Sequence, residues 1–295
     1  MSIFEGLFLI ITLFFTFLTF LINYRPETPY ILAPSIEFYL TLLTITILLV
    51  AILYIFLAYN SLKLAELKLN ALITKSSHRL ALFYFTLSVS LLFLSLAFLV
   101  LLYAKSSSFY VVFRGFKLYL YPQLIAIASL WISCSAAFYF LFAYTVVFRK
   151  DNHTIFILYM LILCFTDYLV ISPLNYYGNE IETITLVKIL SRIFMLLLFI
   201  IPIMMISFRS YRNWRSTKNE IMKVRSLINM ISNLLLALFF LLYLIDAFTT
   251  KPFSLYMAFA YTIAFLSLIG IYIATVFPKN IENMVMIILR RKRFN

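Results

Sequence analysis

The chain has 295 residues, of which 64% are hydrophobic and 12% are charged, and its net charge is +13. A soluble domain carries about 25% charged residues, so this composition excludes a water-soluble globular fold and places most side chains in lipid. The cations flank apolar runs and form no cluster on a polar surface, which argues against a nucleic-acid-binding protein.

Eight apolar stretches are long enough to cross the hydrocarbon core of a bilayer, which takes about 20 helical residues. In chain order they are residues 4–23, 36–59, 80–104, 120–148, 154–174, 189–208, 226–246 and 255–277. The joining segments are too short for a folded extramembrane domain. We therefore predict an all-α fold, a polytopic bundle of eight transmembrane helices over residues 1–277. If the first stretch lay along the membrane surface, seven spans would remain.

The distribution of cations predicts the orientation of this bundle. With the N-terminus inside, the inner segments hold 17 of the 24 Lys and Arg residues, among them Arg79 in the segment 60–79. Because inner loops of membrane proteins are enriched in Lys and Arg, we expect a cell-membrane protein with both termini in the cytoplasm. Tyr and Trp residues at the predicted boundaries agree with these span limits.

Two inner segments have helical patterns of their own. Residues 60–73 place leucines and an alanine on one stripe, which predicts that the second helix continues into the cytoplasm. Residues 278–295 form a separate basic tail in which residues 281–288 have the spacing of an amphipathic helix. We expect anionic inner-leaflet lipid or a protein partner to contact the inner basic loop 209–225 and this tail. The candidate residues are Arg209, Arg212, Arg215, Arg290, Arg291, Lys292 and Arg293.

Charged residues inside a span are candidates for function, because each one is unfavourable in hydrocarbon. Asp167 is the deepest, and Arg192 lies on the next predicted helix, so the two side chains form a candidate pair in the outer half of the membrane. The pair is interpreted either as a packing clamp or as the polar floor of an outward-facing ligand pocket. Tyr176 and Tyr177 in the connecting loop, and Asp246, complete this ligand-binding set. Glu5 and Glu37 lie at span ends, where we expect water to reach them.

Several chemistries have no support in the sequence. Neither a Gly-x-Ser-x-Gly elbow nor the Gly-x-Gly-Asp motif of intramembrane aspartyl proteases is present, so we expect no enzymatic activity. Cys134 and Cys164 are too few for a cysteine metal site and are interpreted as buried thiols. We predict no metal and no cofactor. The scarcity of Gly, with no Gly-x-x-x-Gly, argues against tight helix crossings of the glycophorin kind.

Three stretches resemble the seven-helix membrane sensor domain that precedes some prokaryotic histidine kinases. They are FYFLFAYTVVFRKDNHTIFILYMLIL, SYRNWRSTKNEIMKVRSLINMISNLLLALFF and IYIATVFPKNIENM, all from the fourth predicted span onward. The resemblance implies ligand or membrane-state sensing. Relative to that domain we expect an additional first helix here, and because residues 1–295 contain no kinase we expect the output to pass through a separate partner.

We therefore expect a receptor-like or sensor-like membrane protein with an outward-facing polar pocket. Two alternatives remain open. An accessory or structural subunit of a larger membrane complex would explain the almost uncharged spans. A small-solute or lipid transporter is the third possibility, although the sequence shows no internal repeat and few of the Gly and Pro breaks that mark transporter sites.

Overall fold

A computed structural model describes residues 3–21, 31–32, 34–67, 71–106, 108–113, 116–149, 152–171, 181–248 and 255–276. The helices in these ranges are α1 (Ile3–Leu21), α2 (Pro34–Glu66), α3 (Ala71–Ala104), α4 (Leu120–Phe148), α5 (His153–Ile171), α6 (Ile181–Ser216), α7 (Glu220–Phe248) and α8 (Leu255–Val276). Each predicted apolar stretch lies on one of them, and the all-α fold class is confirmed.

Five of these helices, α2, α3, α4, α6 and α7, are long and apolar enough to cross a membrane. The apolar portions of α1, α5 and α8 among the described residues are shorter. Helices suit a lipid environment because every internal backbone N–H and C=O is bonded within the segment. The chain is therefore a membrane-type helical bundle with at least five segments of spanning length.

Six helices form a closed ring in which neighbours contact in the order α2, α3, α4, α6, α7, α8 and back to α2. α5 packs outside the ring against α4 and α6, and α1 packs outside it against α4. α4 is the central element of the bundle. In its most apolar segment 78% of the residues are buried, whereas the buried share is at most 50% in the other four long helices.

α1 lies alongside α4 and runs antiparallel to it. The Phe8 ring meets the Phe138 ring edge-on at 5.6 Å, and one turn further the Thr12 hydroxyl donates to Cys134 Sγ at 3.6 Å. Along this contact the residue numbers of α1 increase while those of α4 decrease. α1 thus follows successive turns of a helix of spanning length.

The connections at one end of the bundle are short and capped by asparagines. The Asn152 side chain accepts from the backbone N–H of Thr154 and Ile155 at the start of α5, and Asn219 does the same for Ile221 and Met222 at the start of α7. Such side chains satisfy amides that a helix start leaves unpaired. We call this the inner end, after the predicted orientation.

The predictions for two inner segments have different outcomes. The predicted continuation of the second helix is confirmed as far as Glu66, the last residue of α2. The prediction of a basic loop over 209–225 is wrong, because α6 continues to Ser216 and only residues 217–219 separate it from α7. Arginine has a high intrinsic helix propensity, so residues such as Arg212 and Arg215 continue the helix of the apolar segment before them. The tail 278–295 lies outside the described residues.

A small antiparallel hairpin, which the sequence analysis did not predict, precedes α4 at the opposite, outer end. Strand β1 (Tyr110–Phe113) pairs with β2 (Phe116–Tyr119), with Tyr110 opposite Tyr119 and Phe113 opposite Phe116. Aromatic and β-branched residues on both sides of Arg114 and Gly115 favour strands. Lys117 Nζ lies 4.9 Å from the centre of the Tyr110 ring, which adds a cation–π contact.

Pro202 lies inside α6, and its ring nitrogen cannot bond to the carbonyl four residues earlier, that of Leu198. The Tyr159 hydroxyl of α5 donates to this Leu198 carbonyl at 2.7 Å. The Tyr159 ring also stacks on the Phe140 ring of α4 with centroids 3.9 Å apart. A neighbouring helix thus satisfies the acceptor that the proline releases, which is how spanning helices tolerate proline.

Two helices nevertheless approach closely at one glycine, Gly270 on α8. A Cβ atom there would lie 2.0 Å from Ser232 Oγ and 3.0 Å from Ser232 Cβ of α7. Beside it, the Ser267 hydroxyl donates to the Ser232 carbonyl at 2.7 Å. α7 and α8 approach closely through small residues in a Ser-x-x-Gly pattern rather than Gly-x-x-x-Gly.

Candidate functional site

The predicted outer site falls on residues whose side chains the structure does not describe. Asp167 lies on α5, Arg192 on α6 and Asp246 on α7, but the positions of their side chains are outside the described set. Tyr176 and Tyr177 lie outside the described residues altogether. The Asp167–Arg192 contact and the ligand pocket therefore stay predictions.

A buried ion pair joins α1 to α3 toward the inner end. Arg79 Nε donates to Glu5 Oε1 at 2.9 Å, and the side chains are 1% and 2% exposed. Arg79 Nη1 also donates to the hydroxyl of Thr145 on α4. Three helices thus converge on one guanidinium, and a cation in apolar surroundings requires partners of this kind.

This arrangement corrects two expectations. Glu5 was expected within reach of water, but the packing of α1 against α3 and α4 buries it. Arg79 was counted among the cations of the segment 60–79, but α3 begins at Ala71, so Arg79 lies two helical turns inside the bundle. Neither residue alone predicts the pair, because 74 positions separate them in the chain.

A chain of uncharged hydrogen bonds crosses the bundle from α4 to α6. The Tyr139 hydroxyl donates to Asn233 Oδ1 of α7. Asn233 Nδ2 donates to the carbonyl of Asn229 at 2.8 Å, and Asn229 Nδ2 donates to Ser210 Oγ of α6 at 2.8 Å. We call Tyr139, Asn233, Asn229 and Ser210 the polar chain. It begins at a buried side chain and ends two residues before Arg212 in the chain.

Aromatic rings from α2 and α3 surround the start of the polar chain. The Phe83 and Tyr139 centroids lie 4.5 Å apart, and the Tyr54 and Tyr84 centroids lie 5.8 Å apart. The Tyr84 hydroxyl is buried and has no hydrogen-bond partner among the described residues. The described centre of the ring is therefore a packed aromatic core with a few polar groups.

Neither class of buried contact was identified from the sequence. Asn229 and Asn233 are four residues apart on an apolar helix, a spacing that places both side chains on one face. That spacing was the available signal. It does not name the partners, because Tyr139 and Ser210 lie on other helices.

No three His, Cys, Asp or Glu side chains meet in the part of the chain that the structure describes. Cys134 is a buried free thiol that accepts the hydrogen bond from Thr12, and the Cys164 side chain lies outside the described set. The described groups of the interior offer hydrogen bonding and the compensated Glu5–Arg79 pair rather than a metal ligand set.

The predicted inner basic residues divide into two groups. Arg209 is half-buried on α6, and Arg212 and Arg215 are exposed there. The Arg215 guanidinium lies 5.9 Å above the Tyr211 ring centre, and its Nη1 is 3.5 Å from the Tyr211 hydroxyl oxygen. The other four, Arg290, Arg291, Lys292 and Arg293, are in the tail outside the described residues.

Comparison with protein-family models, with curated proteins and with solved structures found no match to this chain. The resemblance to the sensor domain of histidine kinases therefore rests on the three stretches quoted above and stays a prediction.

The buried ion pair is testable by replacing each partner. We expect Arg79→Met or Glu5→Leu to lower the free energy of unfolding by about 3 kcal/mol, because each leaves an uncompensated buried charge. The double variant should lose much less free energy of unfolding than the sum of the losses in the two single variants. Unfolding in detergent, arranged as a double-mutant cycle, measures the coupling.

The matched control is the exposed pair Glu37–Lys105, joined at 2.5 Å, where we expect a coupling of less than about 1 kcal/mol. Equal coupling in the two pairs would contradict this interpretation.

The polar chain is testable with Tyr139→Phe and Asn233→Ala. We expect a coupling of about 1 kcal/mol, since either change alone leaves a buried group without its partner. Tyr159→Phe is the control, because its hydroxyl bonds to Leu198 on a different helix and shares no partner with Asn233. Its effect should add to that of Asn233→Ala. Additive effects of Tyr139→Phe and Asn233→Ala would show that the bond contributes nothing.

Proposed function

We propose that this chain is a sensor-like or receptor-like cell-membrane protein with eight spans, cytoplasmic termini and no catalytic activity of its own. In this proposal a ligand or a change in the membrane acts on the outer half, where Asp167, Arg192, Asp246 and the Tyr176–Tyr177 loop are predicted to lie. The output passes at the inner end to a separate partner. The resemblance to histidine-kinase sensor domains agrees with an input at the outer half and an output at the inner end.

The polar chain is the observation that carries the proposal. It is uncharged and buried except at the partly buried Asn229, and it connects the centre of the ring to Ser210, which adjoins Arg209 on α6. A displacement of α4 therefore changes hydrogen bonds that also hold α7 and α6 near the inner surface. Hydrogen-bond networks of this kind are one means by which coupling is carried between distant parts of a protein.

The contact of α1 with α4 supports eight spans rather than seven. A helix lying in the plane of the membrane would cross α4 at one point, whereas α1 meets it from the level of Thr145 to Cys134. At 1.5 Å per residue this contact extends over about 16 Å of α4.

The number of spans and the orientation can be measured by thiol labelling. In a chain with Cys134→Ala and Cys164→Ala, single cysteines are placed by Glu27→Cys, Ser108→Cys, Ser2→Cys or Lys218→Cys. We expect an impermeant maleimide to label the first two in intact cells and the last two only after permeabilisation. Labelling of Ser2→Cys in intact cells would leave seven spans. The starting chain with both cysteines removed is the control for background.

The second candidate function is an accessory subunit of a membrane complex. The face of α1 turned away from α4 favours it, because that face exposes large apolar side chains such as Ile10, Phe14 and Phe17. Lipid or another spanning protein would cover such a face. A transporter is a weaker alternative, since packed aromatic rings occupy the described centre of the ring.

Photo-cross-linking in native membranes separates these functions. A photoreactive residue replaces Lys218 at the inner end in one variant and Phe17 on α1 in another. For a sensor we expect a discrete protein adduct at position 218, with a yield that changes when Asp167→Asn and Arg192→Gln are added. Leu234→Ala, a change at an exposed position on α7, is the control for nonspecific effects on yield.

Two results would count against the sensor. Lipid adducts alone at position 218 would remove the separate partner. A strong protein adduct at position 17, with none at 218, would favour the accessory subunit instead.

A further inference from the structure

One face of α6 changes from apolar to polar side chains along its length, as the face of a lipid-exposed spanning helix does. Exposed apolar side chains recur at three- and four-residue intervals and place one stripe along the helix, formed by Leu190, Phe194, Leu197, Ile201, Met204 and Phe208. From Leu190 to Phe208 this stripe covers about 27 Å, close to the thickness of about 30 Å of a bilayer core.

Polar side chains continue the same stripe immediately beyond Phe208. Tyr211 follows three residues on, and Arg212 and Arg215 stand four and seven residues beyond Phe208. At 1.5 Å per residue, Tyr211 lies about 5 Å past the apolar stripe and Arg215 about 10 Å past it. Tyr rings favour the headgroup layer, so the two arginines reach the depth of the lipid phosphates.

Neither arginine forms an ion pair with another described residue. No described carboxylate lies within ion-pairing distance of Arg212 or Arg215, although the Glu5 and Glu37 carboxylates both have a cation beside them. The Tyr211 ring lies 5.9 Å from the Arg215 guanidinium and also 5.9 Å from the Trp214 ring. This aromatic support orients Arg215 and leaves its remaining N–H groups available for an anion.

We propose that the inner end of α6 is a binding site for an anionic phospholipid. Arg212 and Arg215 hold its phosphate, Tyr211 lies at the level of its glycerol, and its acyl chain follows Phe208 and Met204. Paired guanidinium groups match phosphate oxygens in charge and in fork geometry. The site rests on the proposed span of α6 across the membrane, but not on sensing or on a protein partner.

The experiment compares lipids on the full chain purified in detergent. Native mass spectrometry counts bound phosphatidylglycerol and phosphatidylcholine with the same acyl chains, and the ratio of their dissociation constants is the readout. We expect a preference of about tenfold for phosphatidylglycerol in the unaltered chain. In Arg212→Gln/Arg215→Gln this preference should fall to about twofold or less.

The control variant Lys63→Gln/Arg149→Gln removes the same charge from exposed inner-end positions on α2 and at the end of α4. It should keep most of the preference. An equal loss in both double variants would show general attraction of charge and would overturn a defined site. Equal binding of the two lipids by the unaltered chain would overturn it as well.

Two further measurements keep the result unambiguous. If the glutamine variant does not fold, the salt dependence of the unaltered chain tests the proposal. An ionic site must lose its preference for phosphatidylglycerol in about 1 M NaCl, because charges are then screened beyond about 3 Å. A preference that survives this salt overturns the proposal. Inorganic phosphate tests the source of the anion: displacement of the lipid by millimolar phosphate would identify a soluble phosphate site rather than a lipid site.

Topology labelling separates this outcome from that of the proposed function. If Ser2→Cys and Lys218→Cys are both inside, a protein adduct forms at position 218 and lipid preference is absent, the lipid site fails while the eight-span sensor stands. If the lipid preference is present but no protein adduct forms at position 218, the sensor fails while the lipid site stands.

Discussion

Charged and amide side chains inside this bundle are stabilised by partners within the protein, because neither lipid nor an apolar core supplies them. This constraint explains why so few polar groups have such large effects on the architecture. Glu5 and Arg79 satisfy each other and bring α1, α3 and α4 together. Tyr139, Asn233, Asn229 and Ser210 connect α4, α7 and α6 in the same way. Each buried contact therefore specifies which helices are neighbours, which apolar packing alone leaves undetermined.

The positions of the helices were predictable because hydrocarbon thickness sets the length of an apolar stretch. The predicted stretch 120–148 coincides with α4, and the ends of α1 and α8 differ from prediction by only a few residues. Helix ends beyond the lipid were less predictable. α6 continues through a segment of polar and basic residues, where hydropathy carries no information.

Long-range partners were not predictable from one sequence. Arg79 looked like an inner-loop cation because it follows other cations, and only the fold reveals that Glu5 reaches it. The hairpin before α4 was missed since a short strand pair among aromatic residues resembles a membrane boundary in a hydropathy pattern. The predicted outer site remains a hypothesis from charge placement. The Asn229 and Asn233 spacing was visible, but its role depended on Tyr139, 94 residues away from Asn233.

The Glu5–Arg79–Thr145 contact also bears on how the bundle is assembled during synthesis. A ribosome makes the chain from the N-terminus, so α1 emerges well before α3 and α4 exist. Its glutamate has no guanidinium to meet until Arg79 has been translated, and its docking surface on α4 follows later still. α1 must then wait beside the insertion machinery or at the membrane surface. α1, although it is made before α3 and α4, therefore takes its final place only once both of them are present.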